Sequence, residues 1–227
     1  MVASENEESN DSLRYCITGT RTDLVGWGHE YLRTLAGQIG KEYEALVEKD
    51  ESTEEIYKLV DQIIPEFINH NEEPEAVDLL LEVERLHDLT KFTSQSNFER
   101  VCIYLLSCAP FAADTEEMQE TYQTTMNIYR HHKRYTDALR VAQKMNNMDS
   151  IAELMAECTD KVTLKQMSFM LGRQRNPFES EDSELQAIIS NEKLSEHFKS
   201  LSKDLDCEEP KHPDAIYKAY LEDRRFN

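Results

Sequence analysis

Apolar residues recur at intervals of three and four along nearly the whole chain, the spacing that gathers side chains on one face of an α-helix. The first such run covers 23–48, where Leu24, Tyr31, Leu35, Ile39 and Leu46 share a face that Trp27 joins. Gly28, Gly37 and Gly40 interrupt the run. Each glycine costs ~1 kcal/mol in a helix interior, so their presence implies close approach of a neighbouring backbone. A second helix is predicted to open at Ser52, which forms the S-x-x-E pattern of a capping box with Glu55. Its stripe is Ile56, Leu59, Val60, Ile63, Ile64 and Phe67, and Pro65 should kink it by removing an amide donor and crowding the preceding turn. Pro74 suits the first turn of a third helix carrying Ala76, Val77, Leu80, Leu81 and Val83.

The same periodicity predicts helices at 97–108, 115–131, 135–145, 149–158 and 161–173, then shorter ones near 183–190, 194–205 and 214–224. No segment of comparable length alternates with period two, so the fold is predicted to be all-α. Two stretches are alike. EAVDLLLEVERLHDL (75–89) and DALRVAQKMNNMDSI (137–151) align at an offset of 62 positions. Ala76, Val77, Leu79, Leu80, Val83, Leu86 and Leu89 then face Ala138, Leu139, Val141, Ala142, Met145, Met148 and Ile151, all small or apolar. A shared break follows Glu84 and Asn146. The spacing of about two helical hairpins predicts hairpin repeats stacked as an α-solenoid, since one such unit cannot bury its own apolar face.

Composition supports this and narrows the function. Six glycines and six prolines in 227 residues are too few for a turn-rich β-sandwich. The formal charge of −20 disfavours phosphate backbones and anionic membrane surfaces, so neither nucleic acid nor membrane is an expected partner. A basic protein surface would be attracted. The polar acidic segment 1–12 is expected to be disordered and carries no signal-peptide pattern. The region 13–205 is read as the helical repeat region, and 206–227 as a terminal linker and helix. The apolar face of that helix, with Ile216, Tyr217, Tyr220 and Leu221, needs a cover.

The residues that could carry chemistry form no site. The five cysteines, Cys16, Cys102, Cys108, Cys158 and Cys207, are odd in number and contain no CxxC pair. They read as reduced thiols packing as small hydrophobes in a cytosolic or nuclear protein. No two of His29, His70, His87, His131, His132, His197 and His212 have the three- or four-residue spacing that puts metal ligands on one helix face. His131 and His132 read as solvated residues at a helix C-terminus. Cys102 is no nucleophile candidate, because Val101, Ile103, Leu105 and Leu106 would raise its pKa. Carboxylate pairs such as Glu54/Glu55 and Glu116/Glu117 are too common in so acidic a chain to indicate acid–base catalysis. Met145, Met148, Met155, Met167 and Met170 fall at helical spacing and read as core, with an adaptable Met-lined groove as the other reading. No cofactor or metal is expected, no catalytic residue is assigned, and the partner-binding residues are unknown.

Several segments together resemble one family. GWGHEYLRTLAGQIGKEYEAL (26–46), IIPEFINHNEEPEAVDLLLEVERLHDL (63–89), VCIYLLSC (101–108), YTDALRVAQKMNNMD (135–149), KQMSFMLGRQ (165–174) and EPKHPDAIYKAYLEDRRF (209–226) are similar, in order, to the large non-ATPase base subunit of the 26S proteasome regulatory particle. The resemblance covers nearly all of 13–227. It implies the helical N-terminal arm ahead of the toroid of proteasome/cyclosome repeats. Ubiquitin and ubiquitin-like domains are received mainly by that toroid, so no receptor residue is carried over to this chain. The implied role is a non-catalytic, cytoplasmic and nuclear scaffold that helps seat a ubiquitin receptor on the ATPase ring. Its implied partners are proteasomal ATPase subunits and other regulatory-particle proteins. The repeat alone would serve a helical adaptor of another multiprotein complex equally well.

Overall fold

The computed structural model describes residues 11–19 and 24–207. Among these residues the chain forms eleven α-helices and three 3-10 turns, with no strand. It divides after His132 into two compact units. The first holds α1 (Asp11–Thr18), α2 (His29–Glu48), α3 (Glu54–Asn69), α4 (Glu73–Glu82), α5 (Phe98–Cys108) and α6 (Thr115–His131), with 3-10 turns at Val25–Trp27, Leu86–Phe92 and Ala109–Phe111. The second holds α7 (Tyr135–Met145), α8 (Met148–Glu157), α9 (Lys161–Arg173), α10 (Ser183–Ile189) and α11 (Leu194–Asp204). The helix predicted at 214–224, and most of the N-terminal segment 1–12, lie outside the described residues.

Within each unit a helix packs against its sequence neighbour or the next but one, as in α2–α4, α3–α4 and α5–α6 of the first and α7–α8, α7–α9 and α9–α10 of the second. This nearest-neighbour pattern is that of helical-hairpin repeats. The first core joins Leu35 and Ile39 of α2, Ile56, Val60, Ile63, Ile64 and Phe67 of α3, and Val77 and Leu80 of α4. The second is built on Leu139 and Ala142 of α7, Ile151 and Leu154 of α8, and Met167 and Leu171 of α9.

The repeat is visible in the backbone. Glu84 (φ 54°) and Asn146 (φ 52°), 62 positions apart, both adopt the left-handed conformation. The amides that follow close equivalent bonds, Arg85 to the Leu80 carbonyl at 2.9 Å and Asn147 to the Ala142 carbonyl at 3.2 Å. This is the Schellman-type ending of a helix. Asn71 (φ 59°) and Lys133 (φ 57°) form a second left-handed pair at the same offset, so the likeness begins before the stretches that show it in sequence. The copies differ afterwards. Leu86–Phe92 is a 3-10 turn, whereas the equivalent chain forms α8, opened by an Asn147 side chain that accepts from the Ser150 amide at 3.1 Å.

Several local expectations are corrected. α2 begins at His29 instead of near Asp23, because Gly28 (φ 90°) turns the chain out of the Val25–Trp27 turn. Trp27 therefore leaves the buried face and is 48% exposed, stacked obliquely on Tyr31. The core face of α2 keeps Leu35 and Ile39 of the expected stripe and adds Leu32 and Tyr43, while Tyr31 and Leu46 are half-buried. Gly37 meets nothing, and Gly40 lies against the Glu82 side chain instead of a backbone. The close backbone approach occurs at Gly172, where a Cβ would stand 2.7 Å from the Ile189 carbonyl of α10. Ser52 and Glu55 form no capping box: Thr53 occupies the N-cap position, and Glu55 pairs with Lys58 at 2.6 Å. The reciprocal cap appears at α6, where Asp114 accepts from the Glu117 amide at 2.9 Å and Glu117 accepts from the Ala113 amide at 2.7 Å. α3 is assigned as one helix through Pro65, and Pro74 sits in the first turn of α4 as predicted.

Asparagine tolerates the left-handed region better than residues lacking a short polar side chain. Asn146→Ala should lower stability by about 1 kcal/mol and Asn146→Gly should not lower it. Urea unfolding of the two variants, followed by circular dichroism, checks the turn.

Candidate protein-docking surface

The residues considered for chemistry are dispersed through the fold. Cys102 is fully buried beneath Thr125, and Cys158 is buried with its pKa raised chiefly by desolvation. Cys207 is exposed, so it does not pack as a hydrophobe, and none of the five cysteines forms a disulfide. Met155 and Met167 are core, while Met145, Met148 and Met170 are half-buried at its margin. His131 is exposed as expected, whereas His132 is half-buried. Its ring stacks on Phe98 (centroids 4.4 Å apart) and its Nε2 lies 3.2 Å from the Thr93 hydroxyl. Burial first, and the neighbouring His131 second, lower its pKa.

The fold makes one histidine juxtaposition that helical spacing does not disclose. His29, at the start of α2, contacts Glu72 in the α3–α4 turn, and its ring centroid lies 5.4 Å from that of His70. Arg33 also holds Glu72, at 2.7 Å, and reaches Glu75 at 2.7 Å. Among the described residues no group of three or more His, Cys, Asp or Glu side chains is arranged to hold a metal ion. The cluster instead ties α2 to the turn before α4.

A second ionic cluster anchors the Leu86–Phe92 turn. The Asp88 side chain is 5% exposed and is bound by Arg85 at 2.6 Å and by Lys91. Arg85 also reaches Asp61 of α3 at 2.9 Å and lies over the Tyr57 ring, 4.9 Å from its centroid. Burial alone would raise the Asp88 pKa, but the hydrogen bonds from Lys91 and Arg85 outweigh it and leave the carboxyl below its usual value.

Acidic side chains line two hollows of this unit. A hollow of about 290 Å³ between α2 and α4 is lined by Arg33, Gly37, Phe67, Glu75, Asp78 and Glu82. A larger one of about 460 Å³ is lined by Asp78, Leu81, Ser107, Phe111, Ala112 and Glu117, from α4 to α6. Asp78 lines both and accepts a 2.7 Å hydrogen bond from the Tyr104 hydroxyl. Burial first, and that bond next, raise the Tyr104 pKa, so the phenol keeps its proton. Two large apolar side chains stand out here: Phe111 is 88% exposed and Ile103 66% exposed. Ile103 lies one helical turn before Ser107, which lines the larger hollow. Sequence periodicity misses the pair because Ile103 falls off the apolar stripe and Phe111 sits in a 3-10 turn.

Comparison with known proteins adds a separate line of evidence. The family model described as RPN1 N-terminal domain matches residues 1–222. A 26S proteasome non-ATPase regulatory subunit 2 from Dictyostelium discoideum is 39% identical over 223 residues, covering 97% of this chain and 25% of that protein. The 26S proteasome regulatory subunit rpn1 of Schizosaccharomyces pombe is 38% identical, covering 97% of this chain and 25% of the relative. The 26S proteasome non-ATPase regulatory subunit 2 homolog B of Arabidopsis thaliana is 39% identical, covering 96% and 26%. The chain thus spans about a quarter of the length of the curated relatives it matches.

The ionic clusters set the pH dependence. Asp88 has a depressed folded pKa, so its contribution is complete above the unfolded value of about 3.9 and is lost as pH falls through the folded value. Asp88→Asn should cost about 1.5–3 kcal/mol at neutral pH, with the gap to the native chain closing in acid. His132, also depressed, makes stability fall as pH drops below about 6.5, and His132→Phe should flatten that limb. Urea midpoints across the acid range for the three proteins read both effects.

Proposed function

This chain belongs to the RPN1 N-terminal domain family, and from that premise we propose that it is a non-catalytic scaffold segment of the 26S proteasome regulatory particle. The carrying observation is a family match over residues 1–222, joined to 38–39% identity with relatives named as proteasome regulatory subunits. Its role is mechanical. Short helices packed on one another give a stiff arm, and the arm helps dock a ubiquitin-receptor subunit to the ATPase ring during ubiquitin-dependent degradation. Its partners are proteasomal ATPase subunits and other regulatory-particle proteins. Ubiquitin or ubiquitin-like domains are engaged through a toroid, not through these helices. It works without a cofactor, in cytoplasm and nucleus.

The acidic surface supports action by protein contact. A chain of charge −20 is steered toward basic protein surfaces and away from nucleic acid. Native affinity purification through a tag on this chain should recover proteasomal ATPase subunits. Recovery of none, where a full-length relative recovers them, would contradict the proposal.

A further inference from the structure

The larger hollow, with exposed Phe111 in its lining and Ile103 one helical turn from its Ser107, has a composition that stabilising this fold does not require. Phe111 is held outward on the Ala109–Phe111 turn with 88% of its surface in water, and Ile103 exposes 66%. Leu81 lines the hollow together with Phe111, and the carboxylates are Asp78 and Glu117, with no basic residue in the lining. The adjoining hollow shares Asp78 and adds Glu82, and its one base, Arg33, is already held by Glu72 and Glu75.

We propose that this trough docks a basic amphipathic helix of a partner protein, whose apolar face covers Phe111, Ile103 and Leu81 while its Lys or Arg side chains meet Asp78, Glu117 and Glu82. The inference deepens the scaffold reading by naming a partner chemistry, and it rests on that reading only in taking the chain to act by protein contact. A helix suits the site because the trough runs between helices, the setting in which an amphipathic helix lays its apolar side into a groove. A basic flank follows from the charges. Glu82 is crowded by Asp78 and Glu44 and its pKa stands raised, by burial first and by those two charges next. An incoming cation relieves that crowding. A second copy of this chain is the wrong occupant, because a two-fold contact here would set two acidic rims against each other. An anionic lipid surface is repelled for the same reason.

The test uses the 227-residue chain and a labelled amphipathic peptide of about 18 residues with Leu and Phe on one face and Lys and Arg beside it. The control peptide has the same apolar face with Glu in place of every Lys and Arg. Fluorescence anisotropy should show saturable binding of the cationic peptide, at least roughly tenfold tighter than the control and weaker in high salt. Phe111→Ala should weaken it roughly tenfold, a side chain so exposed being dispensable for folding. The double variant Asp78→Asn, Glu117→Gln retains the acceptors for Tyr104 and Ala113, and should remove most of the salt dependence. Circular dichroism checks that both variants are folded. Equal binding of the two peptides, no binding of either, or unchanged affinity in the folded variants would overturn the proposal. So would a Phe111-dependent dimer in sedimentation. Co-purification with ATPase subunits reads the scaffold proposal separately, so failure of the peptide leaves that proposal standing.

Discussion

A ten-residue helix such as α4 is marginal by itself, because nucleation costs more than so few hydrogen bonds return. α4 persists because Ala76, Val77, Leu79 and Leu80 are buried against α2, α3 and α5. The rest of its unit answers the same constraint. Burying apolar side chains is worth about 1.5–3 kcal/mol each, so a row of four outweighs propensity. The left-handed residues at Glu84 and Asn146 end two helices in the same way and turn equivalent apolar residues, Leu89 and Ile151, back into a core.

That logic explains what was legible in the sequence. Helices such as Thr115–His131, Tyr135–Met145 and Lys161–Arg173 are bounded where the periodicity places them. The repeat was readable for the same reason, since both copies bury equivalent positions. The failures have physical causes too. Thr121 and Thr125 are buried in α6 although they are polar, because their hydroxyls donate to the Glu117 and Thr121 carbonyls of their own helix. A stripe of apolar letters cannot register such residues. The entry to α2 was misplaced because apolar Leu24 and Trp27 continue the pattern while Gly28 breaks the backbone.

The candidate surface was less legible than the fold. Its acidity was foreseen from net charge alone, but not its place. Asp78 and Glu117 come from different helices, and Phe111 owes its exposure to a turn. His29 and His70 likewise meet only through the packing of α2 on α3. Long-range juxtaposition leaves no periodic trace in a single sequence. What the sequence did carry was the ordered similarity of many segments, and the family match over 1–222 bears that out.

The central claim is that these helices form a protein-contact arm of the regulatory particle. The most direct measurement is cryo-electron microscopy of native complexes isolated through a tag on this chain. The account predicts 26S proteasome particles in which α2–α6 lie against another subunit of the base and Phe111 is covered by protein. Complexes without proteasomal subunits, or particles in which the trough at Phe111 and Asp78 faces bulk solvent with no neighbour on any side of α2–α6, would contradict it.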